Sequence, residues 1–274
     1  MHIRSRRNER FEGADGRESL YDLILPENWN KKLIIFSHGY MGFKDWGAWH
    51  LMEDFFVTNE FGFLKYNVSH NGGTSENGID FPDLAAFSMN SYSKELRDME
   101  LIIEMATTEV PDLDSIYLLG HSRAGGVVVL QSQHPMVSKI AALAPISNIA
   151  SRFPTGDELD EWNKTRIRYS TNGRTKQQMP HDYYQYEDFV ANRNRLNIEF
   201  YARNSHIAIC VIHGEEDPAV NISEGEEIAD WANITLIRIP NEQHTFGASQ
   251  PWLEKKLPLG LKLVCEHLLT FFEH

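Results

Sequence analysis

Asp114-Ser-Ile-Tyr-Leu-Leu-Gly120-His-Ser122-Arg-Ala124-Gly-Gly-Val-Val-Val-Leu130 is the stretch that decides the fold. It reads as a short apolar strand over 115–119, a tight turn of small residues, and the start of a buried helix. Ser122 stands at the apex, with Gly120 two positions before it and Ala124 two positions after. A strand and a helix that approach this closely need small flanks. The same sharp turn pushes one serine hydroxyl out beyond the sheet edge. Many glycine-rich turns hold a serine that does no chemistry, so the rest of the chain must say what this one is for.

Outward from that turn, strand-like and helix-like segments alternate. Residues 3–25 read as two strands joined by a turn at 13–16. Further strands are expected at Lys32–Ser37, 63–68, 139–144, 207–212 and 234–239. Helices are expected at 49–60, 91–107, 223–231 and 257–272; the second carries Leu96, Met99, Ile102, Ile103 and Met105 near helical spacing. The pattern predicts an α/β fold, with a mostly parallel twisted central sheet of about eight strands and helices on both faces.

The alternation breaks once, for about sixty polar and aromatic residues between 144 and 207, including Trp162, Tyr169, Tyr183, Tyr184 and Tyr186. Within them, 165–176 alternates around Asn172-Gly173, a pair that favours a two-residue hairpin turn. The expectation is a single domain over 1–274, with a small cap inserted at about 147–200 that contains a β-hairpin.

Composition narrows the partners. A formal net charge of −13 argues against nucleic acid or an anionic membrane surface, and would repel strongly acidic substrates unless a local basic patch intervenes. Cys210 and Cys265 sit in apolar runs and read as small buried hydrophobes. No metal-ligand spacing occurs, so no metal and no cofactor is expected. The N-terminus is basic with no apolar segment behind it, and no run approaches the ~18 apolar residues of a membrane span. A cytoplasmic enzyme is the expectation.

A serine hydroxyl is a poor nucleophile near neutral pH and needs a histidine base held by a carboxylate. Around such a turn the chain order is serine, acid, histidine. Asp217 follows the 207–212 strand in His213-Gly-Glu215-Glu216-Asp217-Pro218-Ala219-Val220, and His244 follows the 234–239 strand. Both stand just past strand carboxyl ends, where open α/β sheets place their sites. Glu215 and Glu216 could replace the acid, although the Asp-Pro-x-Val ending points to Asp217. For the developing oxyanion, the Arg123 backbone N–H is one donor, and the Tyr40 N–H, in the loop after Ser37, is the other. His38, Met41, His70 and His121 are substrate-lining candidates. His38 is expected chiefly to shape its loop, His213 to shape a turn, and the Arg123 side chain to be solvated.

The set His38-Gly39-Tyr40-Met41-Gly42, Gly120–Gly126, His213–Val220 and His244-Thr245-Phe246 resembles the α/β-hydrolase superfamily, over about residues 20–274. It is most similar to small serine esterases near dienelactone hydrolases, serine aminopeptidase-like lipases and cinnamoyl or feruloyl esterases. That resemblance implies Ser122 as nucleophile, His244 as base, Asp217 as acid, and Tyr40 and Arg123 as oxyanion donors. The segment from Asn172 to Phe189 is similar to the hairpin insertion of the cinnamoyl esterases. Two positions depart from the pattern. Ala124 replaces the commoner glycine, and the loop at 69–75 lacks the usual Asp-x-Arg-Gly-x-Gly. A serine nucleophile argues against dienelactone hydrolase and haloalkane dehalogenase chemistry. The expected activity is hydrolysis of small carboxylic esters, hydroxycinnamoyl or short-chain, through an acyl-enzyme. The alternatives are an aminopeptidase, for which Asp157, Glu158, Asp160 and Glu161 could hold a substrate amine, and a non-catalytic ligand-binding protein.

Overall fold

The chain opens as a hairpin: β1 (Ile3–Glu12) and β2 (Glu18–Pro26) pair antiparallel across a short 3-10 turn at Ala14–Gly16. A computed structural model describes residues 3–274; Met1 and His2, at the head of the basic N-terminus, lie outside the described residues. The apolar run Lys32–Ser37 forms β3, followed by α1 (Trp49–Thr58), β4 (Gly62–Tyr66), α2 (Leu84–Ser88) and α3 (Tyr92–Glu109). Then β5 (Ser115–His121) turns into α4 (Arg123–Val129), and β6 (Val137–Leu143) follows. Between β6 and the next sheet strand lies an insert: α5 (Asp157–Thr165), β7 (Ile167–Thr171), β8 (Gln178–Asp182), α6 (Tyr184–Asn192) and α7 (Ile198–Arg203). The chain then closes with β9 (Ala208–Gly214), α8 (Ile222–Trp231), β10 (Ile237–Ile239) and α9 (Leu259–Glu273).

The main sheet has eight strands in the order β1-β2-β4-β3-β5-β6-β9-β10, and only β2 runs against the rest. Each strand residue faces the side opposite to its neighbours, so buried strands feed two cores. Leu33 and Ile35 join Met99, Ile102, Val127 and Ile228 on one face. Ile34 and Phe36 join Trp49, Phe56, Leu261 and Phe272 on the other. The two cysteines are free and buried. Among the described residues no helix is long and apolar enough to cross a membrane.

Most expected strands and helices form within two residues of their expected bounds, and two elements differ by more. The last strand is only Ile237–Ile239, because the Ile234 amide is taken by the Ala229 carbonyl (2.9 Å) as α8 ends. The insert's hairpin forms, but it does not turn on Asn172-Gly173 alone. Thr171 pairs with Gln178, which leaves a six-residue loop over 172–177. Asn172 explains the longer loop, since its Oδ1 accepts from the amides of Arg174 (2.8 Å) and Thr175 (3.0 Å). A side chain that caps the turn this way competes with a two-residue reversal.

Charged groups fasten the first hairpin to the body. Lys65 in β4 is 1% exposed and sits between Glu53 (3.1 Å), Asp45 (2.5 Å) and Asp22 (3.6 Å). Arg7 reaches Glu53 and Asp22, and Lys44, just beyond the 38–42 loop, reaches Asp22 and Asp45. Three cations thus face three carboxylates. Removing one partner of a buried set strands the others. Lys65→Met should therefore cost roughly 3–5 kcal/mol of stability, read as a lowered urea midpoint; a loss below about 1 kcal/mol would mean that water reaches the acids after all.

Candidate active site

The strand-to-helix turn is strained at its apex: Ser122 has φ 60° and ψ −120°. A non-glycine residue holds such a conformation only where its surroundings over-determine it. Here the Ser122 amide donates to Leu143 O (2.8 Å), and the Ser122 carbonyl accepts from Gly125 N (2.9 Å) and Ile146 N (3.3 Å). Gly120 is compulsory, because a Cβ there would fall on the Ala124 carbonyl.

Past β9, the Asp217 side chain is fully buried. Its Oδ1 accepts from the amides of Ala219 (2.8 Å) and Val220 (3.0 Å), and its Oδ2 lies 2.7 Å from His244 Nδ1 and 3.2 Å from His213 Nε2. Burial pushes this carboxyl up, but hydrogen bonds from His213, His244 and the Val220 N–H hold it well below the usual carboxylate range. An acceptor on Nδ1 fixes the tautomer and leaves His244 Nε2 bare. Glu215 and Glu216 are exposed; Asp217 alone of the three meets His244. His213, expected to shape a turn, does so: it is fully buried, its Nε2 donates to Val220 O (3.0 Å), and the same nitrogen lies 3.2 Å from Asp217 Oδ2.

The loop after β3 passes directly over Ser122, for a Cβ on Gly39 would sit 2.8 Å from Ser122 Cβ. His38 shapes that loop. Its Nδ1 donates to Gly39 O (2.9 Å) and its Nε2 accepts from Val68 N (3.1 Å). Among the described residues neither the Tyr40 amide nor the Arg123 amide, at the open start of α4, is used in a backbone hydrogen bond. Ser122 and His244 line the same two cavities, with no hydrogen bond between Oγ and the imidazole among the described residues. Such bonds commonly tighten only when substrate binds.

Solved structures with the same arrangement of sheet and helices include Est1E from Butyrivibrio proteoclasticus with ferulic acid bound. It gives a TM-score of 0.73 at 19% identity, over 96% of this chain and 97% of that one. The chain has the α/β-hydrolase fold. A putative hydrolase from Agrobacterium vitis S4 scores 0.72 at 16% identity, covering 98% and 99% of the two chains. An acylaminoacyl peptidase from Pyrococcus horikoshii scores 0.65 at 16% identity, over 99% of this chain but 41% of the peptidase. In sequence, a monoacylglycerol lipase from Mycolicibacterium smegmatis is 28% identical over 129 residues. That stretch is 46% of this chain and spans only 41% of the lipase. No protein-family model matches the chain.

Within this hydrolase fold, a cavity of about 510 Å3 opens on one side of Ser122, walled by Tyr92, Phe153, Ile146 and Val220 and by the hairpin residues 168–171. A smaller one of about 230 Å3 lies between the 38–42 loop, Trp46, Trp49, His121 and the 172–174 turn. Met41 lines both, while His38 and His121 line only the smaller. His121 Nε2 donates to the His244 carbonyl (2.8 Å) beneath the site. His70 lines neither cavity, contrary to expectation. Asp98, buried in α3, accepts from Ser69 N (2.7 Å) and Ala14 N (2.6 Å) and draws that loop onto the first hairpin, leaving His70 beside Ser69, Asp15 and Lys94.

Arg123 also departs from expectation. Its side chain is only 13% exposed, lies 2.9 Å from Glu95 and stacks 3.7 Å above the Tyr92 ring. The insert reaches the site through residues the sequence did not single out. The Tyr40 hydroxyl lies 2.9 Å from His181 Nε2 and 3.2 Å from Ser170 Oγ, and His181 Nδ1 faces Gln185 Oε1 at 3.2 Å.

Burial holds four histidines neutral: His38, His70 and His181 are pushed down to about 4, and His121, facing His244 as well, to about 3. An unfolded histidine takes a proton near 6.5. As pH falls from 6.5 toward 4, the unfolded chain binds protons that the folded chain refuses, so stability is lost. Asp98, pushed up to about 7 by burial, acts oppositely; its contribution is lost as pH rises from about 4 through 7. The drop in urea midpoint between pH 6.5 and pH 4 should be smaller in His38→Gln than in the parent. Equal drops would mean that His38 is not held neutral.

Proposed function

We propose that the chain is a serine carboxylic-ester hydrolase working through an acyl-enzyme. The observation that carries this reading is the 2.7 Å contact between the buried Asp217 carboxylate and His244 Nδ1, on the wall that Ser122 shares. His244 Nε2 takes the Ser122 proton as Oγ attacks the ester carbonyl. The Tyr40 and Arg123 amides receive the oxyanion, and Asp217 stabilises the imidazolium. His244 then protonates the leaving alkoxide and activates water for deacylation. The chemistry needs no metal or cofactor.

The substrate is a small-molecule ester. A cavity of about 510 Å3 with aromatic walls suits a hydroxycinnamoyl or short-chain acyl group, and the likeness to ferulate-bound Est1E supports the former. The insert serves as a cap that shapes this pocket. An aminopeptidase must hold a substrate ammonium, yet among the described residues no Asp or Glu lines either cavity. The acidic residues of α5 stand outside both.

Ser122→Ala should lower kcat on a 4-nitrophenyl ester by a factor on the order of 10⁴–10⁶ with the fold intact by circular dichroism. Near-parental turnover would overturn the mechanism. Asp217→Asn should cost about 10⁴ in kcat through loss of the correct tautomer. If Glu215→Gln or Glu216→Gln did that damage instead, the acid would have to be reassigned. Aminoacyl 4-nitroanilides should remain uncleaved where short-chain and hydroxycinnamoyl esters turn over.

A further inference from the structure

Three guanidinium groups line the larger cavity, those of Arg123, Arg152 and Arg168, and no carboxylate does among the described residues. Two of the three are already matched: Arg123 pairs with Glu95, and Arg152 with Glu224. Arg168 is different. It makes no hydrogen bond or ion pair among the described residues; its Nε, like that of Arg152, is buried without a partner.

The sequence places this side chain deliberately. Along β7 the residues alternate, with Ile167, Tyr169 and Thr171 exposed, and Arg168 and Ser170 half-buried on the other face. The guanidinium stacks 4.5 Å above the ring of Trp162, itself buried and fixed by its Nε1–H donating to His181 O (2.9 Å). Burial pushes the Arg168 pKa down, while Glu158 and Tyr40 act on it only from a distance. An arginine stays charged throughout. A half-desolvated guanidinium without a counter-ion is costly, and an anion arriving in the cavity would offset that cost.

We propose that Arg168 selects substrates in which the group seated in the larger cavity carries a carboxylate. The planar fork of arginine suits bidentate pairing with that group, and the Trp162 ring holds the fork in place. This rests on the reading of Ser122 as an ester-cleaving nucleophile and adds the charge class of its substrate.

The test compares isosteric ester pairs, one anionic and one neutral. On the acyl side these are mono-4-nitrophenyl glutarate and 4-nitrophenyl 5-methylhexanoate; on the alcohol side, 4-carboxyphenyl butyrate and 4-isopropylphenyl butyrate. In the parent protein, the anionic member of one pair should be favoured in kcat/KM by about ten- to a hundredfold. In Arg168→Gln that ratio should fall at least tenfold, and Arg168→Lys should keep part of it. The ratio is internal to each protein, so partial misfolding does not move it. No preference in either pair, or a ratio unchanged in Arg168→Gln, overturns the proposal. Should no ester be cleaved at all, calorimetric titration of the Ser122→Ala protein with mono-4-nitrophenyl glutarate decides separately. Affinity that drops at least tenfold on adding Arg168→Gln upholds the arginine's role while the esterase reading falls, and unchanged affinity overturns the arginine's role.

Discussion

Asp217 is a carboxylate with no exposed side-chain surface, and much of the site follows from that burial. An ionised carboxyl taken out of water costs several kcal/mol unless donors replace its hydration. Three hydrogen bonds meet it here, from two amides immediately downstream and from His244 in the loop beyond β10, and His213 Nε2 lies 3.2 Å away. The amides come from one tight turn and arrive without further ordering of the chain. His244 comes from a separate segment, so satisfying the carboxylate also fixes where the β10 loop must lie. His244 is thereby set against His121, whose ring lies 4.7 Å away at a tilt of 52° and whose Nε2–H holds the His244 carbonyl. A position chosen by hydrogen-bond demand becomes the position of the imidazole beside Ser122.

Close approach does the corresponding work on the other side. Gly39 and Gly120 each lie where a single added carbon would collide, one with Ser122 and one with the start of α4. The 38–42 loop therefore packs on the Ser122 side chain, and β5 on the backbone of α4, with no room for adjustment. Among the described residues two amides, at Tyr40 and Arg123, remain without backbone partners beside the serine. Tyr40 is held again from above, because its hydroxyl sits in a triangle with His181 and Ser170 of the insert. The hairpin thus bears on the loop that carries one of those amides.

The sheet, its helices and the meeting of Asp217 with His244 were legible because each leaves a local mark. Apolar runs of strand length end at small or polar turns, and the two site residues sit just past such ends. What was not legible depends on contacts between segments far apart in the chain. Nothing near His70 announces that Asp98, about thirty residues downstream, grips the neighbouring Ser69 amide. Arg123 looked solvated because the first turn of a helix is usually exposed; the Glu95 and Tyr92 that bury it belong to α3. The Asn172-Gly173 pair misplaced the hairpin turn because the asparagine side chain caps a longer loop. Arg168 is one of several charges in a polar segment, and only the fold shows that it faces a cavity rather than water.

Net charge is the plainest case of a global number overruled by a local one. A chain at −13 would be expected to repel anions. At physiological ionic strength, however, charges more than about 8 Å apart across water are largely screened. What an incoming group feels inside the cavity is set by the nearest, least hydrated charges. Those are three guanidiniums, two of them neutralised from behind by Glu95 and Glu224 and one left open at Arg168. The acidic residues of α5, which would have suited a cationic substrate had they turned inward, stay outside this wall. The balance at the site is therefore one positive charge in a partly dry pocket, opposite in sign to the surface around it.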